Sequence, residues 1–295
     1  MSREPTTITR DASVVTEDEG GGPSLGVPRR GELAGFGWMA VASLLFAVMS
    51  IAARMASRTA TWPTIAASRS FMGALVALGF ALRTGASLKT RSPKLSLARS
   101  VFGTFSMLLT FYALGRSDLA VGDAVTLFAT APLFIAVIAP VVLKEKTEKS
   151  LFAILAVAFM GVACIAGPHL AARSWSAVAA LAAALFSAFA MMFLRLMRSG
   201  RSSGAPESSE ARAVHFAALP VCVHRVICLF TFRVPAAADI AFLAVTGLAG
   251  GLAQLAMTRA YALADAARLG ASSYLGTVIS LVAATVLLGE RPTLL

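Results

Sequence analysis

The chain has 295 residues, 57% of them hydrophobic and 14% charged, with a mean hydropathy of +0.77 and a formal net charge of +11. A soluble domain carries roughly 25% charged residues, so a water-soluble globule is excluded and a polytopic membrane protein is indicated. Nucleic acid is not indicated as a partner, because the positive residues fall between apolar segments and form no basic stripe with interleaved aromatics; the three cysteines, Cys164, Cys222 and Cys228, all lie in apolar stretches and exclude a secreted disulfide framework.

Residues 1–32 carry Glu17, Asp18, Glu19 and a Gly20-Gly21-Gly22 run without an apolar core, which predicts a disordered polar tail and not a signal peptide. A bilayer core of about 30 Å needs about 20 helical residues. Runs of that kind predict spans near 36–54, 64–82, 97–115, 121–143, 150–168, 174–194, 213–232, 239–258 and 266–288. Most links are short, which predicts antiparallel helices with consecutive helices as neighbours.

Polar groups within these spans are few, and each is a candidate for function because hydrocarbon penalises it. In the first span Ser43 and Ser50 are seven apart and share a helical face with Phe46. Arg69, in the second, is placed to meet an anionic or carboxylate-bearing substrate, or to snorkel or pack between helices. Tyr112 closes the third span, either as an interfacial aromatic or as a substrate contact. Asp123 lies near the start of the fourth, where it complements the helix dipole or titrates, and Pro132 and Pro140 leave carbonyls without donors, which suits a kink facing a cavity.

Met191 and Met192 in the sixth span read as core or as an adaptable pocket wall. Gly200-Arg201-Ser202-Ser203-Gly204 matches a nucleophile elbow formally, but no strand precedes it. His215, Cys222, His224 and Cys228 fit no common zinc spacing, and there is no phosphate-binding loop, so neither a cofactor nor an enzyme is expected. In the eighth span Gly247 and Gly251 have the spacing of close helix approach, within the bundle or between two copies in a homodimer. Gln254, in the same span, is the only carboxamide of the chain, and Tyr274 lies about eight residues into the ninth span. Ser50, Arg69, Tyr112, Gln254 and Tyr274 are therefore the candidate substrate contacts.

A pattern recurs about half a chain apart: Tyr112-Ala113-Leu114 with Leu143-Lys144-Glu145, and Tyr261-Ala262-Leu263 with Leu288-Gly289-Glu290-Arg291. Five spans separate the copies, and an odd number inverts the second relative to the first, placing Glu145 and Glu290 on opposite sides. With the N-terminus in the cytoplasm, fourteen Lys and Arg fall in the inner loops against six outside, which favours that orientation.

These residues resemble the drug/metabolite transporter superfamily, in its EamA-type families. The resemblance is carried by Trp62-Pro63 followed by Ser68-Arg69, Arg99 to Gly103, Tyr112-Ala113-Leu114, Pro132, and Gly-Glu-Arg-Pro at Gly289 to Pro292. It implies an all-α polytopic inner-membrane carrier of two inverted five-helix repeats around a central cavity, with both termini cytoplasmic. The expected division is a tail over 1–32, a first repeat over 33–168 and a second, truncated repeat over 169–295. The tenth helix of that pattern is expected to be absent, since the sequence ends at Leu295 just past the ninth span. Arg212, His215, Pro220, His224, Arg225 and Arg233 also interrupt the seventh apolar run, over 211–235. The function implied is secondary transport of small metabolites or drugs across the bacterial inner membrane, as an exporter, with import of a specific metabolite such as a nucleotide-like cofactor as the alternative. An intramembrane lipid-acting enzyme would need paired acid and base groups at membrane depth, and no carboxylate lies in the middle of a span. A non-functional remnant is the remaining alternative.

Overall fold

The structure, a computed structural model, describes residues 30–85, 87–90, 92–143, 149–166, 174–198, 209–264 and 266–289. Those residues form ten α-helices: α1 (Arg30–Ala56), α2 (Trp62–Thr84), α3 (Pro93–Leu114), α4 (Val121–Phe128), α5 (Ala131–Leu143), α6 (Lys149–Ala166), α7 (Trp175–Arg198), α8 (Ser209–Thr231), α9 (Ala237–Leu263) and α10 (Ala266–Leu288). No strand occurs among the described residues. All nine expected spans fall on helices among the described residues, with the fourth divided into α4 and α5. Among the described residues seven segments are long and apolar enough to cross a membrane, α4 and α5 counting as one, and Tyr274–Leu288 is a shorter apolar helix. Of the anticipated tail, residues 1–29 lie outside the described residues and 30–32 already belong to α1; Glu145 and Glu290 also lie outside them.

Helix ends follow local chemistry. Proline opens α2 and α3, at Pro63 and Pro93, where its missing N–H is no loss. Gly85 ends α2 with φ of 64°, a left-handed conformation that glycine adopts without steric penalty, and its N–H bonds back to the last turn.

Short links fix helix direction but not adjacency, and the main packing partners are not consecutive helices. The largest contact is α1 along α9, followed by α3 along α7, α2 against α8, α2 against α9 and α1 against α10. The expectation of consecutive neighbours is thus corrected: helices from the first half of the chain pack chiefly on helices from the second. The pattern is paired. Exchanging α1, α2, α3 and α4–α5 with α7, α8, α9 and α10 maps α1–α9 onto α7–α3, α2–α9 onto α8–α3, and α1–α10 onto α7 with α4–α5.

Small residues let the α1–α9 and α2–α9 seams close tightly. A Cβ on Gly35 would come 2.7 Å from the Ala264 Cβ, and one on Gly251 would come 2.9 Å from the Gly73 Cα. The α3–α7 seam is built from rings, with Phe102 within 5.1–5.9 Å of Phe186, Phe189 and Phe193. Leu229, Phe230 and Val286 stand largely exposed on the outer surface, as hydrocarbon solvent permits.

Candidate functional site

Between the helices lies a cavity of about 290 Å³ with walls from α1, α2, α3, α4, α5, α7, α8, α9 and α10. Most of its surface is apolar, with Met39, Met49, Met107, Met191 and Met257 around the aromatic residues Phe46 and Phe111. Methionine adapts to ligands of different shape, and a cavity of this size lies near the lower end of the range for small-molecule sites.

Polar side chains reach the cavity from α1, α2, α3, α7, α9 and α10. Ser43 and Ser50 both reach the cavity from α1, on the face their spacing defines. The Ser50 hydroxyl donates to the Phe46 carbonyl at 3.0 Å and Ser106 donates to Ala183 at 2.9 Å, so toward the cavity these two offer lone pairs. Arg69 and Gln254 offer donors. Arg69 is 6% exposed and forms no hydrogen bond or ion pair with any other described residue. The Gln254 Nε2 is buried without a partner. A void of about 10 Å³, enough for about one water molecule, continues from these two side chains to Phe216 and Pro220.

Two glycines make room for the guanidinium. A Cβ on Gly73, one turn along α2, would lie 2.5 Å from Nη1 of Arg69, and a Cβ on Gly250 of α9 would overlap its Nε and Cδ. Gly247 meets Met72 and Gly251 meets Gly73, so the glycine run both packs α9 on α2 and leaves space for the arginine. A similar fit occurs at the α3–α8 contact, where the Phe216 ring sits on Gly103 and the Arg99 guanidinium lies 4.3 Å from its centroid.

The fourth span breaks at the cavity wall. α4 ends at Phe128, α5 begins at Ala131, and Pro132 has no N–H to give to the Phe128 carbonyl. Phe128, Ala129, Ala131 and Pro132 all line the cavity, which is where non-helical backbone is tolerated at membrane depth. Pro140 lies inside α5 on an exposed surface.

Of the five candidate contacts, the structure brings Ser50, Arg69 and Gln254 to the cavity wall. Tyr112 lies elsewhere: its ring packs edge-on against Trp62 at 5.7 Å, with Arg116 over it at 5.6 Å. Tyr274 is buried among Ala129, Ala136, Leu155 and Leu281, its hydroxyl 3.4 Å from the Leu155 carbonyl. Tyr261, not among the five, does border the cavity, as do Ser106 and Thr277. Asp123 lies in the first turn of α4 and is half-buried.

Of the residues that interrupt the seventh apolar run, Arg212, Pro220 and His224 are buried, His215 is half-buried, and Arg225 and Arg233 are exposed. His224 is fully buried, and its Nδ1 lies 2.5 Å from the Ser70 hydroxyl, which itself donates to Ala66 at 2.8 Å. His215 reaches the Leu88 carbonyl through Nε2 at 2.7 Å, and the Arg212 carbonyl accepts from Arg99 at 2.8 Å. Arg225 covers the Phe71 ring at 5.3 Å. No three His, Cys, Asp or Glu side chains come together as a metal site among the described residues.

At one end of the bundle Arg54 donates to the carbonyls of Leu114, Arg116 and Leu119, tying α1 to the turn between α3 and α4. In the same turn the Asp118 carboxylate accepts from Ser174 and Ser176, both at 2.8 Å, and lies 3.5 Å from Arg116. Desolvation pushes its pKa up, but the bonds from both serines and from its own amide, with the Arg116 charge, outweigh that and hold it below the ordinary 3.8.

Comparison with known proteins agrees with this architecture. Residues 33–167 match the EamA-like transporter family. The pseudopaline exporter CntI of Pseudomonas aeruginosa, strain UCBPP-PA14, is 26% identical over 242 residues, covering 81% of this chain and 82% of its own. The riboflavin transporter of Rhizobium johnstonii is 25% identical over 273 residues, covering 91% and 88%. A solved crystal structure superposes with a TM-score of 0.66 at 19% identity, covering 89% of this chain and 91% of its own, and shows the same fold.

Proposed function

We propose that this member of the EamA-like transporter family exports small metabolites or drugs across the bacterial inner membrane as a secondary transporter, with its N-terminus in the cytoplasm. The observation that carries this reading is a cavity walled by both halves of the chain and bordered by a helix broken at Pro132. Helices broken at a midplane site are the means by which secondary transporters bind solutes between two repeats. The paired helix contacts support a division into two repeats, over 33–168 and 169–295, that rock about the cavity. The bias of Lys and Arg toward the inner loops supports the orientation. Ser50, Arg69 and Gln254 then contact the solute, with Tyr261 beside them.

Export is favoured by the name of one relative, the pseudopaline exporter. The second reading is import of a nucleotide-like metabolite; the name of the riboflavin transporter, which shares more of its length with this chain, supports a metabolite of that kind and gives no direction. A solute-panel accumulation assay in a transporter-deficient strain, with and without an uncoupler, decides between them. Energy-dependent depletion of one solute from cells supports export, and energy-dependent accumulation supports import. A panel with no change, repeated with purified protein in proteoliposomes, would overturn the carrier reading.

A further inference from the structure

We propose that the solute taken by this cavity is an organic anion, a carboxylate on an apolar body, with its acidic group held by Arg69 and by the Gln254 carboxamide. The inference rests on the carrier reading above and adds to it the chemical class of the solute.

A guanidinium within a membrane span costs about 2.5–3.5 kcal/mol at the helix centre and is normally paired or snorkelled to the interface. Arg69 does neither. It is the eighth residue of α2, about 10 Å along the helix at 1.5 Å per residue, and Gly73 and Gly250 fix its head between α2 and α9. Among the described residues no carboxylate lines the cavity, and the ion pair found among them, Arg116 with Asp118, lies in a turn at the end of the bundle. Arg69 is therefore a buried, positioned cation without a counter-ion among the described residues.

The second unpaired group is also a donor. The Gln254 Nε2 is buried, borders the same cavity and lacks an acceptor. If the carboxamide is turned over, the NH₂ still needs one. Two donors converge without an acceptor, while Ser50 and Ser106 have already given their hydroxyl protons to carbonyls. A group with two acceptor oxygens and a negative charge satisfies both donors, and Arg prefers it in a two-pronged geometry. An amine would meet only repulsion from Arg69, and a neutral amide would leave the charge uncompensated. The methionine and phenylalanine side chains of the wall receive the apolar body.

The test uses full-length protein purified in an uncharged detergent and follows its unfolding midpoint with matched probes: 3-phenylpropionate, 3-phenylpropionamide and 3-phenylpropylamine, and indole-3-acetate, indole-3-acetamide and tryptamine. The acids are expected to raise the midpoint in a saturable way while the amides and amines do not. Arg69→Gln should abolish the acid effect, and Gln254→Leu should weaken apparent acid affinity about tenfold. Gln254→Glu places a carboxylate at the cavity and should raise the midpoint in the absence of any probe while removing the response to acids. That variant also decides the question should Arg69→Gln fail to fold. Equal stabilisation by amides or amines, an acid response retained without Arg69, stabilisation by phosphatidylglycerol alone, or no response to either acid would overturn the proposal. A protein that moves a cation or neutral solute in proteoliposomes keeps the carrier reading and loses this one. One that binds acids through Arg69 but moves none keeps this inference and loses the carrier reading.

Discussion

The guanidinium of Arg69 on α2 occupies the space that any side chain on Gly250 of α9 would need. The two positions are 181 residues apart in sequence and form one feature of the cavity wall. Gly250→Ala should expel the guanidinium from its seat. Overpacking of this kind costs about 1–3 kcal/mol. We expect transport in proteoliposomes to fall about tenfold or more, with a lowered unfolding midpoint. Gly79→Ala is the control, since a Cβ there meets nothing within 4 Å. It should leave both quantities unchanged.

The Ser70–His224 hydrogen bond joins α2 to α8 in a site closed to solvent. His224→Ala leaves a cavity and should destabilise the protein by about 1–3 kcal/mol. Polar pairs within membrane bundles couple by about 0.6 kcal/mol on average, so a double-mutant cycle with Ser70→Ala in detergent unfolding should return a coupling of that order. A coupling of zero would show that the bond adds nothing to helix association.

Asp118 sets a pH dependence. Its carboxyl pKa in the folded protein is depressed below 3.8, so the stability it contributes is fully present above that value and is lost as pH falls through the folded pKa. Asp118→Asn should lower the unfolding midpoint at neutral pH. The gap between wild type and variant should close as the pH drops below the ordinary carboxylate range. A gap that is constant with pH would assign the effect to lost packing.

Pro132→Ala restores the missing N–H opposite the Phe128 carbonyl and allows α4 and α5 to join. The unfolding midpoint should not fall. Turnover should drop several-fold if the break takes part in the motion that exposes the cavity alternately. Undiminished turnover would make the break a static feature of the wall.

Much of this wall can be read from the chain because hydrocarbon leaves so few polar residues to consider. Arg69 and Gln254 stand out as isolated donors in apolar runs, and the seven-residue spacing of Ser43 and Ser50 fixes their shared face. The tyrosines are different. Tyr112 and Tyr274 belong to the recurring helix pairs, but helix rotation decides whether a ring faces the cavity, and in an apolar solvent hydropathy carries little information about rotation. Tyr112 therefore settled on Trp62, and Tyr274 settled beside Leu155. Gly247 and Gly251 are legible as sites of close approach, yet the side chain that Gly250 between them admits, Arg69, comes from α2, whose adjacency to α9 no short link dictates. The polar residues of α8 read as interruptions of a lipid-facing helix because their partners, Ser70, Leu88 and Arg99, lie more than a hundred residues away.

The two longest seams of the bundle differ in kind: alanine and glycine bring α1 onto α9, whereas phenylalanine rings separate α3 from α7. In a carrier made of two inverted halves, perfect likeness of those seams would make the two end conformations equivalent by a two-fold rotation and equal in energy. Seams this unlike remove the degeneracy. Under the proposed carrier cycle the resting protein would sit on one side before any gradient acts, and the driving force would work against a built-in tilt as well as against the load.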